Sequence, residues 1–178
     1  MYFRKVNKIP VAFFFILMLV ISKQGFSQSS LATEEEFRSY FQKHIDSLDQ
    51  VEGIWNVMTT QEFYRYDTLY EIDKIPESIK VAIVRNGDKF SSFNLAGESY
   101  RVEFTSTAVP GVYFYKNFFA ETNESSKANA VISNGSTMEY NYDFPDKYLE
   151  KELGETYETG TRVVNITKWT KLFPEKKK

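Results

Sequence analysis

The chain of 178 residues contains no cysteine. Disulfides are therefore excluded, as is a lipid-modified cysteine following an export signal, and the folded domain must be stable through its core alone. Histidine is almost as scarce, with His44 the single copy. Zinc and copper sites want clusters of His or Cys, so neither metal is expected. Nucleophilic catalysis needs a base held beside the nucleophile. His44 falls on a helix ahead of the strand region, so it reads as a packing or surface residue. No Gly-rich phosphate loop is present. An oxygen-only calcium site around Glu121, Asn123 and Glu124 matches no loop spacing, and those residues read as a polar turn. The acidic residues fall on outward strand faces or helix ends rather than in the facing pairs that glycosidases use. No enzyme and no cofactor are expected.

No apolar run is long enough to span a bilayer. The longest, residues 11–21, has 11 residues against the roughly 20 a helix needs. It follows Arg4, Lys5 and Lys8 and precedes Gly25-Phe26-Ser27, with small residues at the −3 and −1 positions of a cleavage site before Gln28. Residues 1–27 thus read as an export signal, placing the mature protein in the periplasm or outside the cell. What remains is 151 residues, an ordinary single domain. Without the signal's four basic residues the chain carries a net charge of −6, which attracts neither nucleic acid nor anionic lipid. Lys176, Lys177 and Lys178 form the one basic cluster and read as a solvated tail.

What the chain has in quantity is rings: 12 Tyr and 16 Phe, with aromatic residues at 17%. Residues 33–48 read as a helix. Thr33 and Glu36 form a capping box, and Phe37, Tyr40, Phe41, Ile45 and Leu48 share one face. From Gly53 onward the pattern changes to period two. Strands are expected at 54–63, 66–72, 80–85, 89–95, 100–107, 112–119, 128–133 and 136–144. Asn86-Gly87 and Asn134-Gly135 supply hairpin turns, Pro110-Gly111 another turn, and Pro76 a loop. A short helix over 145–153, capped by Gly154, precedes a last strand at 161–173. The fold class expected is mainly β: an antiparallel up-and-down barrel of about eight strands. An N-terminal amphipathic helix would lie against the barrel or plug one end. The organisation is a signal at 1–27, a helical lead-in at 28–52, the barrel at 53–174 and a tail at 175–178.

Gly53-Ile54-Trp55, following a helical lead-in and followed by eight strands, a helix and one more strand, resembles the lipocalin and calycin group. The resemblance implies that Gly53 and Trp55 close the barrel base, with a basic side chain near the chain's end packed over the indole. Arg162 is the candidate, with Trp169 nearby in sequence. The signal end and the 48–55 segment also resemble secreted barrel-like proteins of Bacteroidetes. Asp46-Ser47-Leu48 and Asp67-Thr68-Leu69 resemble the short sites at which those bacteria attach O-glycans, Thr68 being the better placed.

A ring-rich barrel interior suits a small apolar ligand such as a lipid or pigment, with tyrosine hydroxyls orienting its polar end. Tyr100, Val102, Phe104, Phe114, Met138, Tyr140 and Tyr142 are the lining expected. The alternative is a filled barrel whose outer face around Tyr113, Tyr115 and Phe119 docks on an envelope protein; on either reading the chain itself is expected to be a monomer. The run 112–119, apolar on both faces, motivates that alternative.

Overall fold

A computed structural model describes residues 31–175. The expected signal peptide and Lys176, Lys177 and Lys178 lie outside the described residues. Eight antiparallel strands close into one barrel in sequence order: β1 (Gly53–Arg65), β2 (Thr68–Asn86), β3 (Lys89–Asn94), β4 (Ser99–Ser106), β5 (Val112–Phe119), β6 (Glu124–Ser133), β7 (Thr137–Asp143) and β8 (Thr161–Phe173). Helix α1 (Glu34–Lys43) precedes the barrel, and α2 (Asp146–Leu153) lies between β7 and β8. The expected fold class is what the structure shows.

The eight strands are not divided as the pattern suggested. The two segments expected at 66–72 and 80–85 are one strand of 19 residues, β2, which continues through Pro76. Residues 76–78 form a bulge, because the register against β1 jumps from Val57↔Ile79 to Thr59↔Ile75. A bulge tolerates a residue without an N–H, so proline does not end the strand. The last strand is consequently the eighth barrel strand. β8 pairs with β1 from Ile54↔Phe173 to Arg65↔Thr161 and with β7 on its other edge. Helix α2 therefore interrupts the barrel before its closing strand.

Gly53 sits at this closing seam with φ 143°, and a Cβ there would stand 2.3 Å from the carbonyl oxygen of Phe173. Glycine is thus required by contact as well as by conformation. At the Asn134-Gly135 turn both residues have positive φ, 53° and 66°, as the hairpin reading demands.

Helix α1 is shorter than its apolar pattern. Thr33 Oγ1 accepts from the Glu36 amide at 3.2 Å, and the Glu36 carboxylate accepts from the Ala32 amide at 2.7 Å. The helix ends at His44, whose N–H still bonds to the Tyr40 carbonyl. Phe37 and Phe41 bury completely against Ile54, Ala82 and Val84, which point out of the barrel. α1 thus seals the outer wall of β1–β2 instead of plugging an end.

Candidate functional site

Two regions of the barrel differ in chemistry. The base is built around Trp55, which is fully buried and donates its indole N–H to the Val51 carbonyl at 2.9 Å. Trp169 meets it edge-on at 6.5 Å. The basic group over the indole is Lys171, its Nζ 4.7 Å from the ring centroid, and not Arg162. Lys171 is the direct register partner of Trp55, so its side chain emerges beside the indole. It also donates to the backbone carbonyls of Gln50 and Glu52. Burial lowers its pKa to about 8, against the upward pull of Asp49 and Glu52. Arg162, near the other end of β8, points outward. It pairs with Asp143 at 3.0 Å and stacks over Tyr64 at 5.1 Å.

Glu52 is the buried carboxylate of the base. It accepts from the amides of Asp49 (2.9 Å) and Arg85 (3.1 Å) and lies 3.5 Å from the Arg85 guanidinium. Asp49 in turn accepts from the Tyr113 hydroxyl. Desolvation, followed by that bond to Asp49, pushes the Tyr113 phenol far above its usual range. These groups tie the segment before β1 to β2 and β5.

Above the base, the expected lining residues Phe104, Met138, Tyr140 and Tyr142 are buried and face inward, while Tyr100 and Val102 face inward but are half-buried. The rings touch one another. Tyr115 and Tyr140 lie 4.3 Å apart, Tyr115 and Tyr142 5.3 Å, and Phe104 meets both Tyr140 and Trp169. Burial raises the phenol pKa of Tyr115, Tyr140 and Tyr142.

The assignment of β5 is the main correction. Phe114 points out and is 40% exposed, whereas Tyr113, Tyr115 and Phe119, expected on an outer docking face, point in and are buried. Val112–Phe119 alternates strictly, but rings occupy both faces, so the pattern shows the alternation without its sense. Closure sets the sense: Tyr115 pairs with Phe104 of β4, and both enter the lumen.

Farther from the base the lumen becomes polar. Gln61 donates to Asn165 at 3.4 Å, Asn165 to the Tyr142 hydroxyl at 2.9 Å, and Thr167 to the Tyr140 carbonyl at 3.1 Å. Thr59, Asn117 and Ser126 are also buried. Sequence reading missed these groups. Their signal was available in β8, where Thr161, Asn165 and Thr167 fall on the same parity as Val163 and Trp169. Phe119, Phe144 and Tyr148 of α2 pack together at this end.

The outer surface carries a third feature. β2 pairs with β3 only over residues 81–86, so residues 68–80 have β1 on one side and, among the described residues, no strand on the other. Together with β1, whose other edge is paired with β8 throughout, they form an arm that runs on past the end of β3. Tyr66, Leu69, Tyr70, Ile72 and Met58 are all exposed on it. Thr68 lies exposed at its tip, and Ser47 is exposed after α1, where its hydroxyl donates to the His44 carbonyl. His44 itself packs against Tyr40 with ring centroids 4.7 Å apart. Glu121 and Glu124 lie 3.9 Å from Arg101 and Lys147.

No protein-family model matches the chain, and no curated protein matches it. Among solved structures it is similar to the isotype 1 transferrin-binding protein B from serogroup B Neisseria meningitidis, with 8% identity and a TM-score of 0.37. The match covers 71% of this chain and 27% of that one, so the chain spans little more than a quarter of that protein's length. A likeness at this TM-score does not extend to what that protein binds.

Proposed function

We propose that this chain is an exported interaction protein without catalytic activity, a barrel with a filled base that docks on a protein partner through the β1–β2 arm. The observation that carries the reading is the concentration of exposed apolar side chains there. Of the nine large exposed hydrophobics among the described residues, five, Met58, Tyr66, Leu69, Tyr70 and Ile72, lie on this arm, next to an unpaired strand edge. A free edge offers backbone N–H and C=O groups to an added strand, and alternate side chains supply specificity. Pro76 has no N–H to donate, so residues 68–75 are the usable stretch. Contact between the lumen rings disfavours the other reading, an apolar ligand held beside Trp55.

The test places a photo-crosslinking amino acid at Tyr70 and, separately, at Asn141 on the exposed outer face of β7. In the native host, Tyr70 should yield one discrete protein adduct and Asn141 none. Ile72→Lys should abolish the Tyr70 adduct. Equal labelling from both positions, or no adduct from either, would overturn the reading.

A further inference from the structure

Between its two register shifts the β1–β2 arm runs regularly over residues 71–75, with Phe63↔Glu71, Glu62↔Ile72, Gln61↔Asp73, Thr60↔Lys74 and Thr59↔Ile75 as direct pairs. Directly paired residues share a face of the sheet. Gln61 and Thr59 are buried in the lumen, so Asp73 and Ile75 point to the lumen side, as does Glu71. Ile72 and Lys74 point outward. Glu71 is exposed and Asp73 half-buried. Among the described residues no ion pair reaches either carboxylate, and the nearby cations are engaged elsewhere. Arg65 pairs with Glu158 at 2.7 Å, and Arg162 with Asp143 at 3.0 Å and Asp67 at 3.9 Å. The free edge of the arm therefore carries two unbalanced negative charges on one face and an exposed Ile72 on the other.

These charges disfavour a second copy of the chain as the occupant. Opposite residues share a face, so a two-fold antiparallel pairing of this edge with itself must centre on a residue. Centred on Glu71, Asp73 or Lys74, it sets a charge against its own copy. Centred on Ile72, it sets Glu71 against Asp73 on both sides of the axis. Centred on Ile75, it runs at once into Pro76 and the bulge. Like charges directly opposite destabilise a strand pair, and opposite charges favour one.

We infer that the occupant of this edge is an extended segment of a protein partner in which two basic side chains flank one apolar residue, an inference that rests on the docking reading above. The segment adds as a strand along residues 71–75. Its two cations lie opposite Glu71 and Asp73, and the residue between them packs beside Ile72 on the outer face. Every second residue of the edge offers both its N–H and its C=O, which holds a strand of any sequence. The carboxylates and Ile72 then select among strands, because charge complementarity suppresses wrong partners more than it adds raw affinity. The motif is the same read in either direction, so the selection does not depend on whether the added strand runs parallel or antiparallel to β2.

The experiment titrates the whole chain with three fluorescein-labelled peptides: Lys-Ile-Lys-Ile-Lys-Ile, its glutamate counterpart Glu-Ile-Glu-Ile-Glu-Ile, and Lys-Lys-Lys-Ile-Ile-Ile, which has the composition of the first without its alternation. Salt is held at about 0.15 M, where charges farther apart than ~8 Å are largely screened. The alternating lysine peptide should bind at least tenfold tighter than either other peptide and should protect the amides of residues 71–75 from hydrogen exchange. Reversing both charges, Glu71→Lys with Asp73→Lys, should pass the preference to the glutamate peptide. The same double reversal should abolish the Tyr70 crosslink in the native host. Equal binding of the two lysine peptides overturns the proposal, as does no binding of any peptide, a preference unchanged by the reversal, or a dimer of the chain that Ile72→Lys dissolves. A Tyr70 adduct that survives the double reversal overturns this inference and leaves the docking reading standing. A wild-type chain that yields no Tyr70 adduct overturns the docking reading, and this inference with it.

Discussion

At the scale of single residues, the base of the barrel is held by contacts with little tolerance. Gly53 meets the Phe173 carbonyl where a Cβ would collide, while Gly87, also at positive φ, has nothing within 4 Å of a built Cβ. Gly87→Ala should therefore cost about 1 kcal/mol, the left-handed penalty alone. Gly53→Ala should cost upward of about 3 kcal/mol, because backbone must also move. Urea midpoints of the two variants check the difference. Lys171 makes a pH prediction. Its ammonium is disfavoured in the folded base, with a pKa of about 8 there against 10.5 for the free side chain. The folded state therefore releases this proton first, and the destabilisation present below pH 8 fades as pH rises from 8 toward 10.5. The buried phenols have the opposite sign. Their raised pKa values contribute stability below pH 10 that is lost above it. Wild type should accordingly gain stability between pH 8 and 10, and Lys171→Met should lack that gain, as urea unfolding at stepped pH would show. The Lys171 role illustrates how far the sequence was legible. Trp55 could be picked out as the base, but its cation could not. Arg162 and Lys171 sit on one strand nine residues apart, and only the β1–β8 register puts Lys171 opposite the indole.

At the scale of elements, α1 and the arm show opposite uses of apolar surface. α1 covers Ile54, Ala82 and Val84 with Phe37 and Phe41, and that burial anchors it more than its own short length does. Phe41→Ala should destabilise the protein by about 3–5 kcal/mol, measured by thermal or urea unfolding. Ile72 on the arm is 52% exposed, so Ile72→Lys should stay within about 0.5 kcal/mol of wild type while removing the proposed docking. A large loss of stability in Ile72→Lys would mean that the arm serves the fold. The arm was hidden in the sequence by Pro76, which ordinarily punctuates a strand. Here the bulge at residues 76–78 absorbs it, so two expected short strands became one long strand whose edge is free over residues 68–80.

At the scale of the whole molecule, closure joins segments more than 100 residues apart, with Ile54 paired to Phe173. Such long-range pairing costs loop entropy before contacts form, so refolding should take milliseconds to seconds. Removing residues 161–175 would expose the facing edges of β1 and β7 along their lengths and take Val163, Thr167 and Trp169 out of the core. The truncated protein should show no cooperative urea transition and should self-associate. A truncated barrel that still unfolded cooperatively as a monomer would show that the closing strand is dispensable.

The alternation along the strands, the Asn134-Gly135 turn, the capped helix and the position of Trp55 were determined by the sequence, because alternation, turn chemistry and caps act within a few residues. Three matters were decided only by tertiary structure: which face of β5 enters the lumen, which basic group lies over Trp55, and where the polar groups of the lumen meet. Each depends on register between strands distant in the chain. Register is set when the barrel closes, and closure is a property of all eight strands together.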